Sequence, residues 1–145
     1  MRIGYALFNA LHKLYCFIAR PHTRGAKCVI TCNGKILFVR LGYAHNRWTS
    51  PGGELKKNET FEQAARREIL EETGITLTRL EEIGGYISVH KYSRDTVRVF
   101  LAESSSCELK LDGFEITEAI WASPETPPTP YARNVPRILA MIKKV

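Results

Sequence analysis

The sequence predicts an α/β domain in which helices cover a β-sheet. Its 145 residues are the length of one domain and are enough to bury a core. The composition, 44% hydrophobic and 25% charged, is that of a globular protein and excludes a disordered chain. Patterns typical of a helix, a β-hairpin, a second helix, several strands and a final helix follow one another, an order that places helices on a sheet.

The first predicted element is an N-terminal amphipathic helix, which Pro21 ends because proline disfavours helical geometry in the residue before it. Asn9, His12 and Lys13 interrupt the apolar residues, so no run approaches the ~20 residues of a membrane span, and no clean signal-peptide pattern is present. We expect the helix to pack on the domain; a membrane surface and a dimer contact are the alternatives. The apolar positions at helical spacing are Ile3, Leu7, Leu11, Leu14 and Ile18.

The next elements are strands. Two strand-like runs between residues 26 and 41 flank Asn33-Gly34, which is the strongest short signal for a hairpin. A loop rich in turn-forming residues follows, and a proline-rich connector later precedes a closing helix within residues 131–145. Further strand-like runs occupy Leu80–Val89, Thr96–Ala102 and Ala119–Ala122.

A second helix is predicted over residues 61–73 because both of its ends carry capping signals. Thr60 is a good N-cap, and Gln63 three residues later completes a capping box. Gly74 is a good C-terminal stop. Phe61, Ala65 and Ile69 form the stripe that this helix is expected to bury.

Three glutamates on the shoulder of that stripe suggest a metal site. Glu68, Glu71 and Glu72 lie within five residues, where like charges repel and oppose the helix dipole. A divalent cation would reverse both penalties, and Mg²⁺ commonly joins carboxylates to substrate phosphates. The alternative is a charged surface helix. The formal net charge of +6 suits an anionic partner without selecting one.

The four cysteines are predicted to be free thiols. Cys16, Cys28, Cys32 and Cys107 contain no CxxC pair, and no histidine lies close to Cys28 and Cys32 in the sequence. We therefore expect a cytoplasmic protein with reduced cysteines, rather than a metal site or disulfides.

The loop before the second helix and the helix itself carry a family motif. The chain matches every fixed point of the Nudix box, GX5EX7REUXEEXGU with U aliphatic, and so resembles the Nudix hydrolase family. The resemblance implies an α/β/α sandwich with a mixed sheet over residues 23–145, and it leaves the helix within residues 1–22 outside the family core. The matching positions are Gly53, Glu59, Arg67, Glu68, Ile69, Glu71, Glu72, Gly74 and Ile75.

The resemblance also implies hydrolysis of a nucleoside diphosphate linked to another group, with the box glutamates holding Mg²⁺ or Mn²⁺. Glu68, Glu71 and Glu72 would be metal ligands, and the Gly53 carbonyl an additional one. Glu59 and Arg67 would form an ion pair that orients these carboxylates.

A further catalytic acid is expected outside the box. The segment FEITEAIWASPE resembles the acidic segment that commonly precedes a late strand in the family. Glu115 is the first choice for a metal ligand or base, and Glu118 is the second. The alternative for each is an acidic loop without a role.

Substrate contacts are expected around the loop before the box and in a later turn. Arg40 and Arg47 flank that loop and are candidates for phosphate binding, with the backbone of Gly52-Gly53 beside them. Tyr92 lies where a tyrosine sometimes accompanies dinucleoside polyphosphate hydrolysis in the family. Solvated arginines and core aromatics are the alternatives. Trp48 and Tyr86 are further candidates for stacking, and His45 and His90 are expected to be surface residues.

As a small domain, the chain resembles the MutT-type members of the family, and this resemblance implies a (d)NTP or modified-nucleotide pyrophosphatase. No proline occurs between Gly74 and Pro124, where one often accompanies ADP-ribose hydrolysis, and the SQPWPFPxS array of NADH hydrolases is absent. Nucleotide sugars, dinucleoside polyphosphates, capped RNA 5′ ends and a non-catalytic nucleotide-binding module stay open. We expect a monomer or a homodimer.

Overall fold

A computed structural model of the protein describes residues 2–19, 21–42, 46–90 and 92–145, without the side chains of residues 2, 3, 5 and 16. The elements follow in the predicted order. They are α1 (Arg2–Ala19), β1 (His22–Cys32), β2 (Lys35–Leu41), β3 (Trp48–Thr49), β4 (Gly52–Glu54), α2 (Phe61–Thr73), β5 (Glu81–His90), β6 (Ser93–Glu103), β7 (Ile116–Ala122) and α3 (Val135–Ile142).

The strands form one seven-stranded mixed sheet. Its order is β3-β2-β1-β6-β5, with β4 paired to β1 and β7 paired to β2. β1 and β6 run parallel, and the other described pairs are antiparallel. β1 therefore lies at the centre of the sheet. β4 pairs with the N-terminal half of β1 and is followed by the loop that leads to α2.

The predicted hairpin is confirmed. β1 and β2 pair up to Cys32 and Lys35. Asn33 and Gly34 take positive φ angles of 50° and 75°. A two-residue hairpin turn of this kind needs positive φ at both positions, and glycine and asparagine tolerate it best.

Two apolar layers confirm the predicted sandwich. Alternate residues of β1 face opposite sides of the sheet, as the strand period requires. Cys28 and Ile30 pack with Ile69 of α2 on one side, whereas Val29 packs with Ile138 of α3 on the other. The sheet is thus enclosed between α2 and α3, and the polar edge of α2 lies beside β1 and β4.

The caps of α2 also form as predicted. The Gln63 N–H donates to Thr60 Oγ1 at 3.1 Å, and the Thr60 N–H donates to Gln63 Oε1 at 2.9 Å. Gly74 ends the helix with φ of 74°. α3 begins with Val135-Pro136, where the missing proline N–H costs nothing because the first turn has no partner for it.

The expectation that α1 packs on the domain is wrong. The helix forms over residues 2–19, but its described apolar side chains stand in solvent, from Leu14 at 53% exposed to Ile18 at 73%. An amphipathic pattern defines an apolar face without defining what covers it. The Ile3 side chain lies outside the described part of the chain. In the described residues, no helix is both long and apolar enough to cross a membrane.

The expectation of free thiols is wrong for two of the cysteines. Cys32 at the end of β1 and Cys107 form a disulfide across 75 residues. The Ser104 N–H donates to the Thr31 carbonyl at 2.8 Å and brings the two segments together. Cys28 is a buried free thiol, as expected, and burial raises its pKa to about 12. The Cys16 side chain lies outside the described residues.

Candidate active site

The two glycines of β4 bring the backbone into contact with the carboxylates of α2. Gly52 has φ of +147°, and a Cβ there would lie 2.0 Å from the Ala26 carbonyl oxygen. No other residue fits this position. The Gly52 N–H donates to Glu72 Oε2 at 3.2 Å, so the close approach of β4 to β1 also fixes a buried carboxylate.

Three carboxylates meet beside this backbone. Glu68 and Glu72 lie one turn apart on α2, and Glu115 arrives from the segment before β7; each offers an oxygen within 4.8 Å of the others. Glu72 is only 2% exposed, Glu68 is partly buried and Glu115 is exposed. Carboxylate oxygens are the donors that hard divalent cations prefer, so this donor set fits Mg²⁺ or Mn²⁺.

Glu71 lies apart from this group. Its side chain is 54% exposed, and its carboxylate accepts a hydrogen bond from Arg67 Nη1 at 3.3 Å. The structure therefore brings two of the three box glutamates, Glu68 and Glu72, close to Glu115, which lies outside the box.

Arg67 joins Glu59 and Glu68, two glutamates of the motif, through hydrogen bonds. Its Nε and Nη2 atoms donate to the two oxygens of Glu59 at 2.7 and 2.9 Å, and Nη1 donates to Glu68 Oε1 at 2.6 Å. Nη2 also donates to the Glu54 carbonyl at 3.0 Å. Hydrogen bonds from Arg67, and then from the Lys56 N–H, lower the pKa of Glu59 to about 2. Glu59 is therefore ionised at neutral pH and holds the guanidinium in place.

Lys27 is a site residue that the sequence analysis missed. It lies on β1 between the buried Ala26 and Cys28, and its Nζ donates to the Ser50 carbonyl at 3.0 Å. Loss of water around the ammonium lowers the pKa of Lys27, and the charge of Glu72 opposes that shift. A charged residue between Ala26 and the apolar run Cys28-Val29-Ile30 was the available signal.

Burial raises the pKa of Glu72 above the ordinary carboxyl range. Glu68 raises that pKa further, whereas Lys27 and the Gly52 N–H lower it. The metal-free folded protein consequently keeps a proton on Glu72 at pH values where the unfolded chain has released it. A bound cation would favour the ionised form, because a carboxylate ligand must be deprotonated.

This shift predicts the pH dependence of stability without metal. The folded state binds a proton more tightly than the unfolded state, so Glu72 makes the free energy of unfolding fall as pH rises from the ordinary carboxyl pKa towards the raised one. The slope is at most about 1.4 kcal/mol per pH unit. Urea unfolding in EDTA at several pH values measures it. Glu72→Gln should gain stability relative to wild type as pH rises; a constant difference between the two proteins would contradict the assignment.

Gly53 leaves room for the Glu68 carboxylate, and this yields a second prediction. A Cβ at Gly53 would lie 2.3 Å from Glu68 Cδ. Gly53→Ala should therefore displace that carboxylate and lower the activity proposed below about tenfold to a hundredfold, as misplacing a metal ligand does. Steady-state kinetics with saturating metal measure the loss. Gly4→Ala is the control, because a Cβ there meets nothing within 4 Å; equal kinetics for both variants would contradict the prediction.

Two of the three carboxylates, those of Glu68 and Glu115, line a cleft of about 520 Å³. Its described lining includes Gly52, Gly53, Lys27, Lys56, Arg67, Glu68, Asp95 and Glu115. Positive and negative side chains thus share the cleft wall, as expected where a cation and a phosphate group would both bind.

The other candidates for substrate contact lie elsewhere among the described residues. Arg40 pairs with Glu118 at 2.8 Å, and its guanidinium stands 4.9 Å from the Trp48 ring centroid. Arg47 is exposed in its loop, and Tyr92 contacts Phe17 of α1 edge to face. None of these lines the cleft within the described chain.

Tyr86, a further candidate for stacking, contacts another side chain instead of lining the cleft. The Tyr86 hydroxyl accepts a hydrogen bond from Asn134 Nδ2 at 3.0 Å. His90 is exposed, as expected, and His45 lies outside the described residues.

Comparison with known proteins identifies the class to which this fold and site belong. The model of the NUDIX domain matches residues 21–142, and the chain belongs to the NUDIX family. It is 35% identical over 118 residues to the NAD-capped RNA hydrolase NudC of Haemophilus influenzae, a match over 69% of this chain and 44% of that protein. It is 35% identical over 95 residues to the oxidized purine nucleoside triphosphate hydrolase of Danio rerio, over 57% of this chain and 60% of that protein.

Solved structures agree on the fold. A MutT NUDIX hydrolase from Burkholderia pseudomallei superimposes with a TM-score of 0.77 at 24% identity, covering 84% of this chain and 98% of that chain. A C. elegans Ap4A hydrolase gives a TM-score of 0.71 at 23% identity, covering 84% and 96%. The chain spans less than two thirds of the curated relatives described above.

Proposed function

We propose that this protein hydrolyses the diphosphate linkage of a nucleoside diphosphate joined to another group, with a divalent cation. The observation that carries the proposal is the meeting of Glu68, Glu72 and Glu115 within 4.8 Å of one another at a cleft that also presents Lys27 and Lys56. Membership of the NUDIX family supports the same reaction.

In this proposal, Glu68, Glu72 and Glu115 hold Mg²⁺ or Mn²⁺. The Gly53 carbonyl is an additional candidate ligand, and Glu71 is a candidate from the outer side of α2. When bound, the cation supplies charge neutralisation for the diphosphate and a bound water of lowered pKa.

The residues of the chain prepare the cleft for hydrolysis. Arg67 and Glu59 fix the Glu68 carboxylate, and the Gly52 N–H fixes Glu72. The Glu115 carboxylate is the candidate to accept the proton of the attacking water, since it is the most exposed member of the group. Lys27 and Lys56 offer positive charge to the phosphates.

The preferred substrate class is a (d)NTP or a modified nucleotide. The similarity to an oxidized purine nucleoside triphosphate hydrolase supports it. A capped RNA 5′ end is the second candidate, favoured by the similarity to NAD-capped RNA hydrolases over 118 residues and by the net charge of +6.

A nucleotide library assayed with Mg²⁺ and with Mn²⁺ tests the proposal. It should contain unmodified and oxidised (d)NTPs, nucleotide sugars, dinucleoside polyphosphates, NAD and capped RNA, with products identified by mass. We expect metal-dependent release of pyrophosphate or of a nucleoside monophosphate. Binding of nucleotides without any product would instead identify a non-catalytic module and overturn the proposal.

A further inference from the structure

The apolar face of α1 is uncovered in this structure. The side chains that form it are between 53% and 73% exposed, a degree unusual for large apolar residues on one helix. By contrast, Asn9 on the same helix is partly buried. The apolar face consists of Leu7, Phe8, Leu11, Leu14 and Ile18.

The face has the angular distribution of a helix that lies in an interface. At ~100° per residue, Leu7, Leu11, Leu14 and Ile18 fall within about 60° of one another. Asn9 and Lys13 fall on the opposite side of the helix by the same spacing. Such a helix can bury one side in an apolar phase while its other side stays in water.

The distribution of Lys, Arg, Asp and Glu along the chain favours an anionic partner for the N-terminal segment. The first acidic residue of the chain is Glu54, so the 53 residues before it carry eight Lys or Arg and no Asp or Glu. The remaining residues carry 13 Lys or Arg and 15 Asp or Glu. Residues 1–22, which contain α1, form a basic segment that carries Arg2, Lys13 and Arg20 and no Asp or Glu. Lys27 and Arg40 are not counted with this segment, because Lys27 lines the cleft and Arg40 pairs with Glu118.

The C-terminal end of α1 is attached to the catalytic domain. The Phe17 and Tyr92 rings meet edge to face with centroids 5.1 Å apart. After the helix, the Arg94 N–H donates to the Pro21 carbonyl at 3.1 Å. Both contacts involve the end of α1 and leave the apolar face open along its length.

From these observations we infer that α1 docks on an anionic lipid bilayer, lying in its surface with the apolar face towards the acyl chains. Apolar burial supplies attachment, and the basic segment is attracted to acidic headgroups. A second copy of the chain is a poorer occupant, because it would bring two segments of like charge together.

Flotation of the full-length protein with vesicles tests this inference. We expect binding to phosphatidylcholine vesicles containing about 30% phosphatidylserine, and weaker binding to phosphatidylcholine alone or in high salt. Leu11→Asp should reduce binding about tenfold or more, whereas Asn9→Asp adds the same charge on the polar side and should retain it. Leu11→Ala keeps a strong helix former and should weaken binding less than Leu11→Asp.

Circular dichroism and nucleotide hydrolysis should be the same for these variants and wild type, since none lies in the cleft. Absence of binding to the anionic vesicles, or equal binding of Leu11→Asp and wild type, would overturn the inference. Sedimentation velocity gives the remaining outcome: a wild-type dimer that Leu11→Asp dissociates would assign the face to a second copy and would also overturn it.

Discussion

Glu72→Gln is expected to lower kcat/KM by about a thousandfold and to leave the fold intact. The substitution removes a charge from the group formed with Glu68 and Glu115. A thousandfold fall in kcat/KM corresponds to about 4 kcal/mol of lost transition-state stabilisation. The shape of the side chain is kept, and the amide oxygen can still accept the hydrogen bond that Gly52 donates at 3.2 Å. Steady-state kinetics at saturating Mg²⁺, beside thermal unfolding, measure both effects.

Glu62→Gln is the matched control for this variant. Glu62 lies on the same helix and pairs with Arg66 at 2.8 Å, and its side chain is 55% exposed. It should keep near wild-type kinetics, because it belongs to no part of the carboxylate group. Turnover of Glu72→Gln within a few-fold of wild type would contradict the role of Glu72.

Arg67→Ala is expected to cost about a hundredfold in kcat/KM, with a higher Mg²⁺ concentration needed for half-maximal rate. The substitution removes the bidentate bond to Glu59 and the 2.6 Å bond to Glu68. Glu68 then loses the group that orients it, and Glu59 is left as a charge without its partner. Titrating Mg²⁺ in the kinetic assay separates weaker cation binding from slower chemistry.

Arg67→Lys and Arg66→Ala make this prediction specific. Lysine keeps the charge but cannot reproduce the planar fork, so Arg67→Lys should fall between alanine and wild type. Arg66 bonds Glu62 and the Leu77 carbonyl, so Arg66→Ala should keep the Mg²⁺ dependence of wild type. An Mg²⁺ profile for Arg67→Ala that superimposes on that of wild type would remove Arg67 from the site.

The features that could be predicted from the sequence depend on residues close together in the chain. The bounds of α2 follow from Thr60, Gln63 and Gly74, which act on their own helix. The hairpin follows from Asn33-Gly34 for the same reason. Local chemistry therefore suffices to predict these elements.

The features that could not be predicted depend on contacts between residues that are far apart in the sequence. The disulfide joins Cys32 to a residue 75 positions later, and only the folded sheet makes them neighbours. The isolation of Glu71 depends on where β4 and the segment before β7 place their atoms around α2. Glu115 is predicted only through the resemblance of its segment to a family feature, because the helical spacing of α2 contains no information on a residue from another element.

The proposed hydrolysis depends on divalent-cation binding by Glu68, Glu72 and Glu115, and a Mn²⁺ titration measures that binding without turnover. Electron paramagnetic resonance of free Mn²⁺ should be followed with wild type, Glu72→Gln and Glu62→Gln, in the presence of a non-hydrolysable nucleoside diphosphate analogue. We predict saturable binding by wild type and Glu62→Gln, and binding about tenfold to a hundredfold weaker by Glu72→Gln. No Mn²⁺ binding by wild type, or equal binding by all three proteins, would contradict cation binding by Glu68, Glu72 and Glu115.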